Sequence, residues 1–378
     1  MISAGAPLAR RCGVAGSLVI LGTLWIGYVL AGYPLLCRIR SFLRPLQIHR
    51  RVWRPRVTVV IAAYRETTRL SGKLASLAQQ TYPPELIDLV VACDGGIAEE
   101  VATVQAAYRA GEQELTGRFR LLALPHIGKA AALNAGVAAA RGEILVMTDA
   151  RQRLSENAIA VLVDALADPN LGAVGGQLVL PGPSIYWRYE SQVRRWEAEA
   201  GWATGVSGAL YALRRSDWPQ LPSGLLLDDV WVPLTLKRRG LQIAIEPAAR
   251  AFDEAGATRP EFQRKVRTLS GNLQLLLFEP TLLLPSWPGW FSFVSHKLMR
   301  LSLPFTLLVV AAASYYLPLP WRRLLVATHA TGFTFGLLGL LGVPLRLARI
   351  AATFLTLNGA VLVGVTRVFT HGRRLPWS

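Results

Sequence analysis

Acidic side chains are missing from both ends of this 378-residue chain. Residues 1–56 carry nine Lys/Arg and no Asp or Glu, and residues 280–378 repeat that balance. The middle, residues 57–279, holds the other 23 basic residues against all 24 acids, so the net charge of +17 lies outside a nearly neutral centre. A nucleic-acid binder concentrates positive charge on its folded domain. Here the charge flanks apolar segments, as in membrane proteins. Charge of either sign is scarce, at 17% against 52% hydrophobic residues, which argues against a wholly soluble chain. Cysteine is scarce as well. Cys12, Cys37 and Cys93 are odd in number and widely spaced, which excludes a disulfide framework and a zinc pattern.

Residues 13–36 contain no charged side chain, and such a helix crosses a hydrocarbon core of ~30 Å. The run is too long for the core of a signal peptide, and no small-x-small cleavage site follows it, so it reads as a retained anchor. Arg10 and Arg11 precede it, whereas Arg38, Arg40, Arg44, Arg50, Arg51, Arg54 and Arg56 follow. That bias predicts an outside N-terminus and a cytoplasmic middle domain. Residues 301–321, 324–345 and the shorter 350–366 are further candidate spans. Residues 280–300 mix Trp287, Trp290, Phe291 and Phe293 with prolines and Lys297, which reads as an amphipathic segment lying in the membrane interface. The predicted organisation is an anchor and basic linker (1–56), a cytoplasmic domain (57–279), an interfacial segment (280–300) and C-terminal transmembrane helices (301–378).

The middle alternates short β-branched runs with helical stretches. Strands are predicted at 57–63, 87–93, 119–124 and 143–148, and helices at 66–80, 97–110 and 128–140. That alternation implies an α/β domain with a mostly parallel sheet. Ligands of such sheets bind at the carboxyl ends of strands. The rule points to Tyr64–Glu66, Asp94–Gly96 and Asp149–Gln152.

Taken singly, each motif has an ordinary reading. Asp94-Gly95-Gly96 makes a turn. Asp228 and Asp229 either cap a helix that begins at Val230 or form a carboxylate pair in which one tunes the other as a base. Arg264 and Arg267, at i and i+3 on one helical face, are a solvated stripe or a grip on phosphate oxygens. Trp187, Trp196 and Trp202 offer flat faces for a sugar or pack in a core. Their order along one α/β domain between apolar segments carries the weight.

In that order the chain resembles the family 2 glycosyltransferases of GT-A fold, in particular their membrane-bound branch near cellulose and hyaluronan synthases. The resemblance covers roughly residues 57–300. Its landmarks are Ala62-Ala63-Tyr64-Arg65-Glu66, Cys93-Asp94-Gly95-Gly96, Gly128-Lys129 through Leu133-Asn134-Ala135-Gly136, Thr148-Asp149-Ala150-Arg151, Asp228-Asp229 and Arg264-Lys265-Val266-Arg267-Thr268. The Gly-Lys-x-x-x-Leu-Asn-x-Gly element is the most specific. The resemblance implies an enzyme that moves a sugar from a nucleotide-sugar, by family habit a UDP-sugar, to a glycan or lipid acceptor in cell-surface synthesis. It places Tyr64 and Glu66 in the nucleotide pocket, Asp94 on the base, and Lys129 and Asn134 near the donor. Asp149 would hold Mg2+ or Mn2+ on the diphosphate. Asp229 would deprotonate the acceptor hydroxyl. Asp228, Arg264, Arg267 and Trp196 would serve the diphosphate or the acceptor. Gly205-Val206-Ser207-Gly208 resembles the family's acceptor loop. The expected location is the bacterial inner membrane, with the catalytic domain in the cytoplasm.

Two departures stand out. Arg151 replaces the second acid of the family's Asp-x-Asp, which predicts a weaker metal site partly compensated by the guanidinium. Thr268 replaces the aromatic that ends the basic motif of processive synthases, which favours single addition over polymerisation. A processive synthase component and a non-catalytic sugar-nucleotide-binding assembly subunit are the competing readings.

Overall fold

A computed structural model describes residues 6–64, 69–95, 98–110, 118–182, 184–253, 261–373 and 375. Strand β1 (Val57–Ala63) is buried along its length, which suits a parallel strand covered on both faces. It lies between β2 (Ile87–Asp94) and β4 (Ile144–Met147), parallel to both, and β3 (Phe119–Leu124) pairs parallel to β2. The strands β5 (Arg153–Leu154), β6 (Leu171–Val179), β7 (Tyr211–Arg214) and β8 (Gln242–Phe252) complete one sheet in the order β3-β2-β1-β4-β7-β6-β8-β5. β4 meets β7 antiparallel, and β6 meets β8 parallel. The predicted α/β alternation is observed, with helices Leu70–Ala78, Ala98–Ala110 and Lys129–Ala139 between the first four strands.

Alternate side chains of β1 feed two cores, as a strand's period of two requires. Val57, Val59 and Ile61 pack with Leu70, Leu74, Leu77 and the Ala158–Leu166 helix. Val60 faces Ala130, Leu133 and Val137 of the Lys129–Ala139 helix. That helix lies tight on the sheet, since a Cβ on Gly136 would come within 2.8 Å of Val60 Cγ1. The glycine of the most specific motif is thus needed for close approach. The carboxyl ends of β1, β2 and β4 open side by side, with the sheet order reversing about β1. This is where an α/β sheet forms a ligand crevice.

Among the described residues, two helices are long and apolar enough to cross a membrane, Gly13–Leu43 and Arg346–His371. A third span results if Trp290–Leu301 and Leu303–Ser314, bent by 55°, act as one. The predicted 324–345 segment forms a helix, Leu319–Leu340, but is not among these candidates: although long enough, it carries Arg322, Arg323 and His329, which lower its mean hydropathy. Within 280–300, Trp287 and Phe293 are buried in the second core rather than turned to an interface.

The N-terminal helix contains a π-helical turn at Tyr28–Gly32, just before Pro34. Proline has no N–H for the carbonyl four residues back and crowds it. That carbonyl belongs to Leu30, and it accepts the Tyr189 hydroxyl at 2.8 Å from the Ile185–Glu199 helix of the middle domain.

Candidate active site

At the end of β2, Asp94 is 4% exposed, and it is tied to the loop that enters the Lys129–Ala139 helix. Its Oδ1 accepts the Ile127 N–H at 2.6 Å and the Gly128 N–H at 3.1 Å, and His126 Nδ1 lies 3.2 Å from Oδ2. Gly128 reaches this position at φ +86°, which side-chain-bearing residues rarely adopt. Asp94 was expected to bind the base. Its oxygens also fix the loop on which Lys129 and His126 stand. The exposed His126 ring stacks on Tyr64 at 4.6 Å and 22°, giving the crevice one aromatic wall. Glu66 lies outside the described residues.

Lys129 is the centre of the cluster. Its Nζ lies 3.2 Å from Asp149 Oδ1 and 3.2 Å from Asp228 Oδ1, joining the first turn of one helix to the end of β4 and the start of another helix. Burial would lower the lysine's pKa, but Asp149, Asp228 and Asp229 overcome it and raise it. Burial would raise the Asp149 carboxyl, but Lys129, Arg151 and Arg267 hold it below the ordinary carboxylate value. Asp229 goes the other way. Burial and the neighbouring Asp228 charge raise its pKa, against Lys129, Arg194 and Arg267. Two adjacent acids therefore have unequal surroundings, as a general base requires. Neither is an N-cap: both belong to the first turn of the Asp228–Arg238 helix, and the cap position is Leu227.

The residues around this centre divide clearly. Arg267 acts electrostatically on Asp149, Lys129 and Asp229. Arg264 lies one turn earlier and is half-buried, and its carbonyl accepts the Thr268 hydroxyl at 3.0 Å. Arg151 Nε faces Asp253 Oδ1 at 3.3 Å, and this Nε is buried without a hydrogen bond. The 205–208 loop rests on Asp229, whose carbonyl accepts the Val206 N–H at 2.9 Å, and Gly208 lies beside its carboxylate.

Two expected site residues have other work. Asn134 Oδ1 accepts from Trp218 Nε1 and the Leu221 N–H, both at 3.1 Å, and its Nδ2 donates to the Leu221 carbonyl at 2.9 Å. Three of its hydrogen bonds go to the 218–221 segment, so the side chain holds that loop. Trp196 packs with Tyr33, Cys37 and Trp202 against the N-terminal helix, with Arg38 5.3 Å over its ring. It is part of the junction with the apolar helix.

This arrangement joins the ends of β2 and β4 to the two acids of a later helix. Residues 58–215 match the sequence profile described as Glycosyl transferase family 2. They form a family 2 glycosyltransferase domain. An N-acetylglucosaminyltransferase of Rhizobium meliloti (strain 1021) is 30% identical over 135 residues, 35% of this chain and 30% of that protein. The chain thus spans under a third of that relative. One from Rhizobium leguminosarum bv. trifolii is 26% identical over 135 residues, 35% of this chain and 72% of its own length. Among solved structures, the mannosyltransferase PcManGT from Pyrobaculum calidifontis, in complex with GDP-Man and Mn2+, superposes with a TM-score of 0.73 at 22% identity. That match covers 93% of this chain and 99% of the other, and it shows a common fold.

The family 2 domain also has site neighbours that motif reading missed. Lys73 is 1% exposed and donates to Thr148 Oγ1 at 2.7 Å, directly before Asp149. Burial lowers its pKa to about 7, against the pull of Asp149. A signal was present, because Lys73 falls on the apolar stripe of Leu70, Leu74 and Leu77. Asp253 had no such signal, since only the antiparallel pairing of β5 with β8 brings it near Arg151.

Proposed function

We propose that this chain is an inverting glycosyltransferase that moves a sugar from a nucleotide-sugar, of UDP type, to a membrane-associated glycan or lipid acceptor. The observation that carries this reading is Lys129 lying 3.2 Å from both Asp149 and Asp228, with Asp229 beside them. The Tyr64–His126 stack forms a wall for the base. Lys129, Arg151 and Arg267 supply positive charge where a diphosphate's charge develops on departure. Asp229, whose raised pKa makes it a stronger base than an ordinary carboxylate, takes the proton of the attacking acceptor hydroxyl. Attack from the face opposite the leaving diphosphate inverts the anomeric centre. Basic linkers after residue 36 support a cytoplasmic domain and a plasma-membrane location.

Among the described residues no group of three His, Cys, Asp or Glu is arranged to hold a metal ion. The donors that fit a divalent cation are the Asp149 carboxylate, held ionised, and the Asp253 carboxylate beside Arg151. Hard oxygen ligands of this number suit Mg2+ or Mn2+ when substrate phosphates complete the shell. Bound there, the cation would neutralise diphosphate charge, a task Arg151 shares.

A donor screen on membranes carrying wild type and Asp229→Asn, read by product mass, tests the reading. Product from wild type alone is the expected result, whereas equal product from both removes the base. One added sugar per acceptor fits single transfer, and a ladder of products fits a processive synthase. Nucleotide binding without any product fits an assembly subunit.

A further inference from the structure

A cavity of about 400 Å3 adjoins the Asp229 loop and has been given no ligand so far. Gly205, Val206 and Ser207 form one of its walls, the same residues that rest on the Asp229 backbone. The Ile185–Glu199 helix and the end of β6 form the others. Its size suits a saccharide-scale ligand.

The lining is charged on one side only. Arg188, Arg194 and Arg195 line it, and no Asp or Glu is among its described lining residues. Two of the three arginines are already neutralised. Arg194 Nε lies 3.0 Å from Glu190 Oε1, and Arg195 Nε lies 2.8 Å from Glu199 Oε1. Arg188 is exposed, and no carboxylate pairs with it among the described residues. Next to it stands half-buried Trp187, an aromatic surface of the kind that stacks on a sugar ring. Leu178, Val179 and Ile245 supply an apolar side. The diphosphate of the donor does not account for Arg188, because Lys129, Arg151 and Arg267 already surround that position.

We propose that this cavity is an acceptor subsite and that it selects a saccharide carrying an anionic group, phosphate or carboxylate. Trp187 stacks on the acceptor ring, and Arg188 pairs with its anion. The loop under the cavity then presents the ring hydroxyl to Asp229. This inference rests on the transferase reading of Asp229, but its test is independent of turnover.

The full chain in nanodiscs, saturated with UDP, is titrated with p-nitrophenyl β-glucoside, its 6-phosphate and p-nitrophenyl β-glucuronide. The charged probes are expected to bind about tenfold more tightly than the neutral one, the scale of one charge-assisted pair. Arg188→Glu should erase that preference, and Trp187→Ala should weaken all three probes alike, both with unchanged UDP affinity. Preference for the 6-phosphate identifies a phosphorylated acceptor, and preference for the glucuronide a uronic acid. Equal affinity for all three, a preference that survives Arg188→Glu, or no binding of any probe overturns the proposal. Transfer that persists in Asp229→Asn would instead defeat the catalytic reading and leave the charge preference intact.

Discussion

Two clusters of buried charge in this domain share Arg194, and they are balanced differently. In the junction cluster, Glu190 meets Arg194 at 3.0 Å, Arg300 at 2.5 Å and His296 at 3.5 Å. Glu197 takes His296 Nδ1 at 2.7 Å and the Tyr33 hydroxyl. Burial would raise both glutamates, yet Arg300 and His296 hold Glu190 well below its ordinary value, and His296 leads in lowering Glu197. Every acid there has a cation or a hydroxyl in contact. In the Lys129 cluster, Asp149 and Asp228 share one ammonium, and Asp229 is left with a raised pKa. The charge-paired junction cluster joins the domain to its apolar helices. The other one has a group ready to take a proton.

The sharpest way to break that comparison is Asp229→Asn. Transfer should fall by about 10²–10⁴-fold, the usual range for a lost general base. Because the substitution relieves repulsion with Asp228, the thermal midpoint should not fall. A large drop in stability with modest loss of turnover would make Asp229 a structural residue. The reciprocal experiment is Glu190→Gln, which leaves Arg300 and Arg194 without their buried counter-charge. Removing one partner of such a set costs about 3–5 kcal/mol, so denaturation in detergent should move far more than kcat of the folded fraction. Native stability from Glu190 is present above the ordinary glutamate pKa and is lost as pH falls through its depressed folded value.

Asp228→Asn sharpens the contrast within the site. It removes the charge that helps to raise Asp229, so the acid limb of the kcat/KM profile should move to lower pH. An unmoved limb would assign that limb to another group. The smallest effect belongs to Lys73→Met. Lys73 binds its proton in the unfolded chain below its ordinary 10.5 but in the folded chain only below about 7. Folding therefore releases a proton between those values, and stability rises with pH across that window. The methionine variant should flatten that slope between pH 7 and 9, as read from denaturant midpoints.

Much of the domain was legible because its signals are local. The β-branched run at 57–63, the turn after Asp94, and the Gly128-Lys129 start of a helix each depend on residues within a few positions. Asp149, Lys129 and Asp229 were legible as a set because sheet order brings strand ends together whatever the loops do. What escaped detection depends on partners far along the chain. The 218–221 segment fills the Asn134 amide from more than eighty residues away. Trp196 takes its environment from the N-terminal helix, and Asp94 from a loop one strand later. In all three, packing supplies protein partners that residue type alone does not name.

The bond from Tyr189 to the Leu30 carbonyl has a mechanical meaning. An apolar rod in lipid is free to slide and roll, because one greasy face resembles another. A proline that exposes a backbone acceptor breaks that degeneracy, and a phenol from the domain occupies it. Together with the Tyr33 hydroxyl on Glu197, this bond sets the depth and azimuth of the domain relative to the rod.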